Sequence, residues 1–107
     1  MAKELQIQLL SPEGKLFDGA ARQVTVPALN GLMGVLPGHA PLIAQLLSGV
    51  ATIDTGAEKL FFMIDQGFVE VRPDHVVVVL ADVARVAKDG DDARAMLKAR
   101  RSEDSPA

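Results

Sequence analysis

The sequence predicts a mainly β domain, an antiparallel sandwich or barrel, followed by one short C-terminal α-helix. Three observations carry this. Short apolar runs recur along residues 1–87 with turn residues between them, the spacing expected of a sandwich or barrel. The first of these runs alternate with period two, as half-buried strands do. Charge then changes character near Lys88. Residues 1–87 hold 6 of the 11 Lys and Arg and 9 of the 14 Asp and Glu, whereas residues 88–107 crowd 5 of each into a short segment. At 107 residues, of which 49% are hydrophobic, the chain has room for one core without cysteines or metals to staple it. The predicted division is a β domain over 1–87 and a helix with a charged tail over 88–107.

The elements follow in order. Leu5, Ile7 and Leu9 alternate with Gln6 and Gln8, and Ser11-Pro12-Glu13-Gly14 then supplies a type I turn, with Pro second and Gly fourth. Val24 and Val26 alternate with Gln23 and Thr25. Further strands are predicted at Leu42 to Leu47, Val50 to Asp54, Lys59 to Ile64, Phe68 to Arg72 and Val76 to Leu80. Ser48-Gly49, Thr55-Gly56-Ala57, Gln66-Gly67 and Pro73-Asp74 separate them. Asp89-Gly90-Asp91-Asp92 leads into a run of helix formers from Ala93 to Arg101, acids first and bases last, the order that complements the helix dipole. Such a helix, about ten residues long, is marginal alone, so its Ala93, Met96 and Leu97 side needs a surface to pack on. Ser102 to Ala107 reads as a frayed tail.

Composition excludes several functions. The net charge is −3, the wrong sign for a protein that binds nucleic acid by neutralising phosphates. Four Phe are the only aromatic residues, which leaves few platforms for stacking bases or sugars. With no cysteine, thiol catalysis and Cys-type zinc sites are ruled out. No apolar stretch approaches the roughly 18 residues needed to cross a bilayer, and Gln6 and Gln8 interrupt the N-terminus before any signal-peptide core can form. A cytosol-facing location is expected. No residues assemble a nucleophile, a base and an orienting group, so no catalytic residue, metal ligand or cofactor is expected.

Two features exceed what a plain sandwich requires. Leu60 to Ile64 and Val76 to Leu80 are apolar at odd and even positions alike, so both faces of these strands need cover, from the helix, a loop or a partner protein. From Pro27 to Leu42, Asn30-Gly31 signals a tight turn, yet Leu29, Leu32, Met33, Val35 and Leu36 crowd it. Pro37, Gly38 and Pro41 then form a rigid corner that presents His39, whose ring is expected to be satisfied by local carbonyls. The loop as a whole looks like a docking surface. His75, after Pro73-Asp74, is expected to be solvent-exposed.

Taken in order, these residues resemble the epsilon subunit of rotary ATP synthases. The resemblance is carried by Leu16-Phe17-Asp18-Gly19, Val24-Thr25-Val26-Pro27, Gly31, Gly34, and above all Pro37-Gly38-His39-Ala40-Pro41-Leu42. It continues through Gly67-Phe68-Val69-Glu70-Val71, Val78-Val79-Leu80-Ala81-Asp82 and Asp92-Ala93-Arg94-Ala95. It implies a ten-stranded β-sandwich in a non-catalytic rotor subunit of the central stalk, bound to gamma and to the c-ring in a hetero-oligomer that couples rotation to ATP synthesis. The implied setting is the cytoplasmic face of the bacterial inner membrane, with membrane contact only through the ring. By the same resemblance, Asn30, Gly31, Leu32 and Met33 would form the ring contact, with His39 close by. Many members carry acids at the positions of Asn30 and Leu32; here both are uncharged, so apolar contact would replace ion pairing.

Family members commonly end in two antiparallel helices that can extend into the catalytic head and block ATP hydrolysis. Only one short helix is legible here, so the second is expected to be absent and inhibition by extension with it. A family ATP-binding motif, Ile or Leu followed by Asp-x-x-Arg-Ala, is matched by Asp91, Arg94 and Ala95, but Gly90 stands where the apolar residue belongs. An ion pair between Asp91 and Arg94 explains the same residues. The alternative to a motor subunit is a stand-alone β-sandwich binding module that shares only the fold.

Overall fold

A computed structural model describes residues 4–104. Eight strands and one helix follow in order: β1 (Leu5–Ser11), β2 (Gly14–Ala21), β3 (Gln23–Ala28), β4 (Gly31–Val35), β5 (Leu42–Leu46), β6 (Gly49–Asp54), β7 (Lys59–Val71), β8 (Val76–Ala87) and α1 (Gly90–Asp104).

The strands make two layers because β7 and β8 each serve both. Phe68 to Val71 of β7 pair with β5, while Lys59 to Ile64 pair with β6. Val76 to Leu80 of β8 pair with β1, and the rest of β8 stays beside the first half of β7. One layer therefore runs β2, β1, β8, β7, β5 and the other β4, β3, β6, β7, β8, which is five strand segments in each. A strand that crosses between layers counts once, and this is why ten segments are eight continuous strands. All pairs are antiparallel except β1 with β8. A single bridge between Ala28 and Leu46 joins β3 to β5.

The crossing in β7 occurs at Asp65-Gln66-Gly67, where Gln66 and Gly67 take φ of 64° and 149°. An extended residue cannot turn a strand so sharply, and the left-handed backbone here makes the bend. Gln66-Gly67 is thus a corner within one strand, where the sequence pattern suggested a turn between two. Between the layers lie Leu5, Ile7 and Leu9 from β1, Val24 and Val26 from β3, Phe62 and Ile64 from β7, and Val77 and Val79 from β8. Their period-two spacing puts every second residue inward. Among the described residues, no buried position holds a polar or charged side chain.

The other face of Leu60 to Ile64 is covered by α1. Met63, Ala87, Ala93 and Leu97 form a second buried cluster, with Val50, Phe61, Val83 and Met96 packed around it. The helix starts on paired acids: the Asp92 N–H donates to Asp89 Oδ1 at 2.7 Å, and the Lys88 N–H donates to Asp92 Oδ2 at 3.0 Å. This is a capping box shifted by one residue. At 15 residues the helix is longer than expected, since nothing before Pro106 breaks it. It runs through Ser102 to Asp104, where a frayed tail was expected; Ser105 to Ala107 lie outside the described residues.

β4 is a strand where the sequence suggested only a crowded loop. Its Met33 and Val35 turn towards the core while Leu32 and Gly34 face out, and Gly34 masks the alternation. β8 likewise continues past Leu80 to Ala87, because Asp82 and Arg85 take outward positions on a strand whose partner β7 extends as far.

Candidate functional site

Three surfaces offer side chains to a partner. The first is the β3–β4 hairpin, where Ala28 pairs with Gly31 and leaves Leu29-Asn30 as a two-residue loop. Gly31 takes φ of 117°, which a side chain rarely tolerates. Leu32, 73% exposed, projects beside the exposed Leu29 and Asn30. The Leu29 N–H donates to the Gln45 carbonyl at 3.0 Å and the Leu47 N–H to the Pro27 carbonyl at 2.8 Å, so the hairpin is laid along β5. Asn30, Gly31, Leu32 and Met33 line one groove with Leu42 and Ile43.

His39 is not among the residues lining that groove. It sits in the corner formed by Pro37, Gly38 and Pro41, where its Nδ1–H donates to the Ala40 carbonyl at 2.8 Å. Gly38, at φ of 91°, donates its N–H to Nδ1 of His75 at 3.3 Å. His75 is itself in the left-handed region, at φ of 64°, and is half-buried. The sequence pattern left His75 exposed at a turn; the structure uses its ring to pin the proline corner to the β7–β8 turn. No local signal marks this contact, which joins residues 37 apart.

The second surface is the outer face of the layer that ends in β5. Leu80 of β8 pairs with Leu10 of β1 on one side and Phe68 of β7 on the other. Cross-strand partners share a face, so the three form an apolar row. Phe68 and Leu80 are 54% and 53% exposed. Val78 lies one row along, between Gln8 and Glu70, and Ile43 extends that row beyond Glu70. This is the second face of the Val76 to Leu80 run, which no element among the described residues covers. A row of large apolar side chains open to water marks an interaction surface.

The third surface is the cleft at the start of α1, lined by Thr25, Leu32, Val50, Thr52, Phe61 and Arg94 among others. Asp91 and Arg94 form an ion pair of 2.7 Å. The guanidinium lies over Gly90, where a Cβ would come within 3.3 Å of it. Arg94 thereby occupies the space that an apolar side chain at position 90 would claim.

Over residues 4–87 the chain matches the family of the ATP synthase delta/epsilon chain β-sandwich domain. It is 42% identical to the ATP synthase epsilon chain of Hydrogenovibrio crunogenus, over 98% of this chain and 72% of that protein. It is 43% identical to that of Thioalkalivibrio sulfidiphilus, over 98% of this chain and 75% of that one. A chain in the cryo-electron microscopy structure of Euglena gracilis mitochondrial ATP synthase, showing OSCP, F1 and c-ring, superposes with a TM-score of 0.74 at 26% identity. The match covers 97% of this chain and 68% of that one. A chain of the Tetrahymena thermophila mitochondrial ATP synthase central stalk and c-ring shares the fold, with a TM-score of 0.67 at 15% identity over 95% of this chain and 92% of that one.

Proposed function

The chain belongs to the ATP synthase delta/epsilon family, and from that premise we propose that it is a non-catalytic rotor subunit that binds gamma and the c-ring and couples their rotation to ATP synthesis. The observation that carries this reading is the apolar row of Leu10, Leu80 and Phe68, left open on a domain whose other strand face is already covered by its own helix. That row is the proposed seat for gamma, because burying exposed aliphatic and aromatic side chains supplies most of the affinity at the centre of a protein interface.

The β3–β4 hairpin is the proposed ring contact. Asn30, Gly31, Leu32 and Met33 stand at one projecting tip, and with no acid among them they would hold the ring by apolar contact and shape. His39 would stand behind that contact as part of the proline corner, with Pro37, Gly38 and Pro41 fixing the backbone. In the same reading residues 1–87 are the rotor-binding domain and residues 88–107 an accessory segment. The protein would lie at the cytoplasmic face of the bacterial inner membrane and touch the membrane only through the ring.

The ion pair of Asp91 with Arg94 supports a structural role for this part of the nucleotide motif, since each charge already has its partner. The test of the whole proposal is recovery from detergent-solubilised membranes by an affinity tag on this chain. Gamma and the c-ring are expected in stoichiometric amount. A tagged chain found only in the soluble fraction, without either subunit, would identify a free binding module instead.

A further inference from the structure

Where β7 crosses between layers, the Asp65 carboxylate joins three elements that are far apart in sequence. The Ser48 hydroxyl, from the β5–β6 turn, donates to Oδ1 at 2.5 Å. Arg100 of α1 donates from Nε to Oδ2 at 2.8 Å. Arg100 and Asp65 keep 33% and 21% of their side-chain surface, so water screens this pair less than it does the exposed Asp91–Arg94 pair at the start of the helix. The apolar docking of α1 ends at Leu97; Lys98, Ala99 and Arg101 are exposed.

We propose that Asp65 is a positioning residue, a charge latch that holds the C-terminal half of α1 down on the sandwich. Ala93 and Leu97 seat the first half by burial; Asp65 fixes the second through Arg100. Ser48 orients the carboxylate so that its other oxygen meets the guanidinium, a charge-assisted bond on a prearranged acceptor. The charged groups facing Asp65 are Arg100 and Arg101, and both favour its ionised form; Val83, its partner on β8, adds no charge. The latch is therefore closed at every pH at which the carboxylate is ionised. It requires none of the partners proposed above, and it opens by loss of charge at one point without unfolding the sheets.

Hydrogen exchange on the full chain tests this. Asp65→Asn should speed exchange of the amides of residues 97–101 about tenfold, the scale of one lost charge-assisted bond, and leave Ile7 and Val79 in the sandwich unchanged. Arg100 makes further contacts, so the double variant Asp65→Asn/Arg100→Met isolates the pair: it should exchange no faster than Arg100→Met alone. Arg100→Lys should retain part of the protection. In wild type the Met96 methyl resonance should hold steady through neutral pH and move as the carboxylate protonates in acid; in Asp65→Asn it should show the released position throughout. If Asp65→Asn fails to fold, Arg100→Met and Ser48→Ala carry the same test from positions outside the bend. Unchanged exchange at residues 97–101, additive effects in the double variant, or acceleration spread evenly over the sandwich would each overturn the proposal.

Discussion

Gly67 on β7 lies so close to the carbonyl of Leu80 on β8 that a Cβ would overlap that oxygen and stand 2.9 Å from Cα of Ala81. Both neighbours are backbone, so neither can swing aside. Gly67→Ala is expected to cost about 3 kcal/mol or more, from steric overlap together with a φ that side chains resist. Denaturant unfolding at neutral pH measures it, and a variant as stable as wild type would mean that the crossing is looser than described.

The open face should separate binding from folding. Phe68→Ser combined with Leu80→Ser removes two half-exposed side chains, so the melting temperature should change little. Capture of gamma should fall at least about tenfold, the loss expected when anchors at the centre of an interface go. Equal capture by the double variant would place gamma elsewhere.

The hairpin tip predicts a different phenotype. Asn30→Lys with Leu32→Lys puts two cations on the exposed hairpin, one in its loop and one on β4, where the fold tolerates them. Assembly with the ring is expected to fail while gamma is still bound. Normal recovery of the ring with this variant would remove residues 30 and 32 from the contact.

Acid stability should report on Asp65. The Ser48 hydroxyl, first, and then the Arg100 guanidinium hold its carboxyl below the ordinary value of 3.8, against a smaller opposing effect of burial. The folded-state pKa is depressed, so the stabilisation is complete above the unfolded value of about 3.9 and fades as pH falls through the lower folded value. Asp65→Asn should therefore melt below wild type at pH 7, with the gap closing only in strong acid. A gap that closed between pH 7 and 5 would contradict the assignment.

With its apolar side buried against Phe61 and Met63, α1 is expected to exert no brake on ATP hydrolysis. Removing residues 88–107 from a reconstituted enzyme should leave the ATPase rate unchanged, and a several-fold rise would show that this segment inhibits.

Much of this architecture is legible in local pattern. The alternation in β1 and β3, the acids before the bases in α1, and the doubled apolar faces of Leu60 to Ile64 and Val76 to Leu80 all follow from side-chain period alone. What could not be read is tertiary. Gln66-Gly67 has the composition of a turn, and only the continuous pairing of β7 with β8 on either side of it shows a bent strand. The second faces of the two apolar runs look alike in sequence, yet one lies beneath α1 while the other has no covering element among the described residues. The contacts of His75 with Gly38 and of Asp65 with Ser48 and Arg100 join distant positions, and the residue types at either end are ordinary surface polar groups. The hairpin tip stands out because its apolar crowding violates the usual chemistry of a loop; that marks a docking surface, and the ring as its proposed partner comes from the family resemblance.

The crossing of β7 and β8 has a mechanical meaning. In an ordinary sandwich the two sheets are held by side-chain packing, which yields to sliding. Here two adjacent hydrogen-bonded strands pass through both sheets, so a sideways push on one sheet is carried to the other along covalent backbone. Such a domain should resist shear in the way a stitched laminate does, a property suited to the rotor role proposed above.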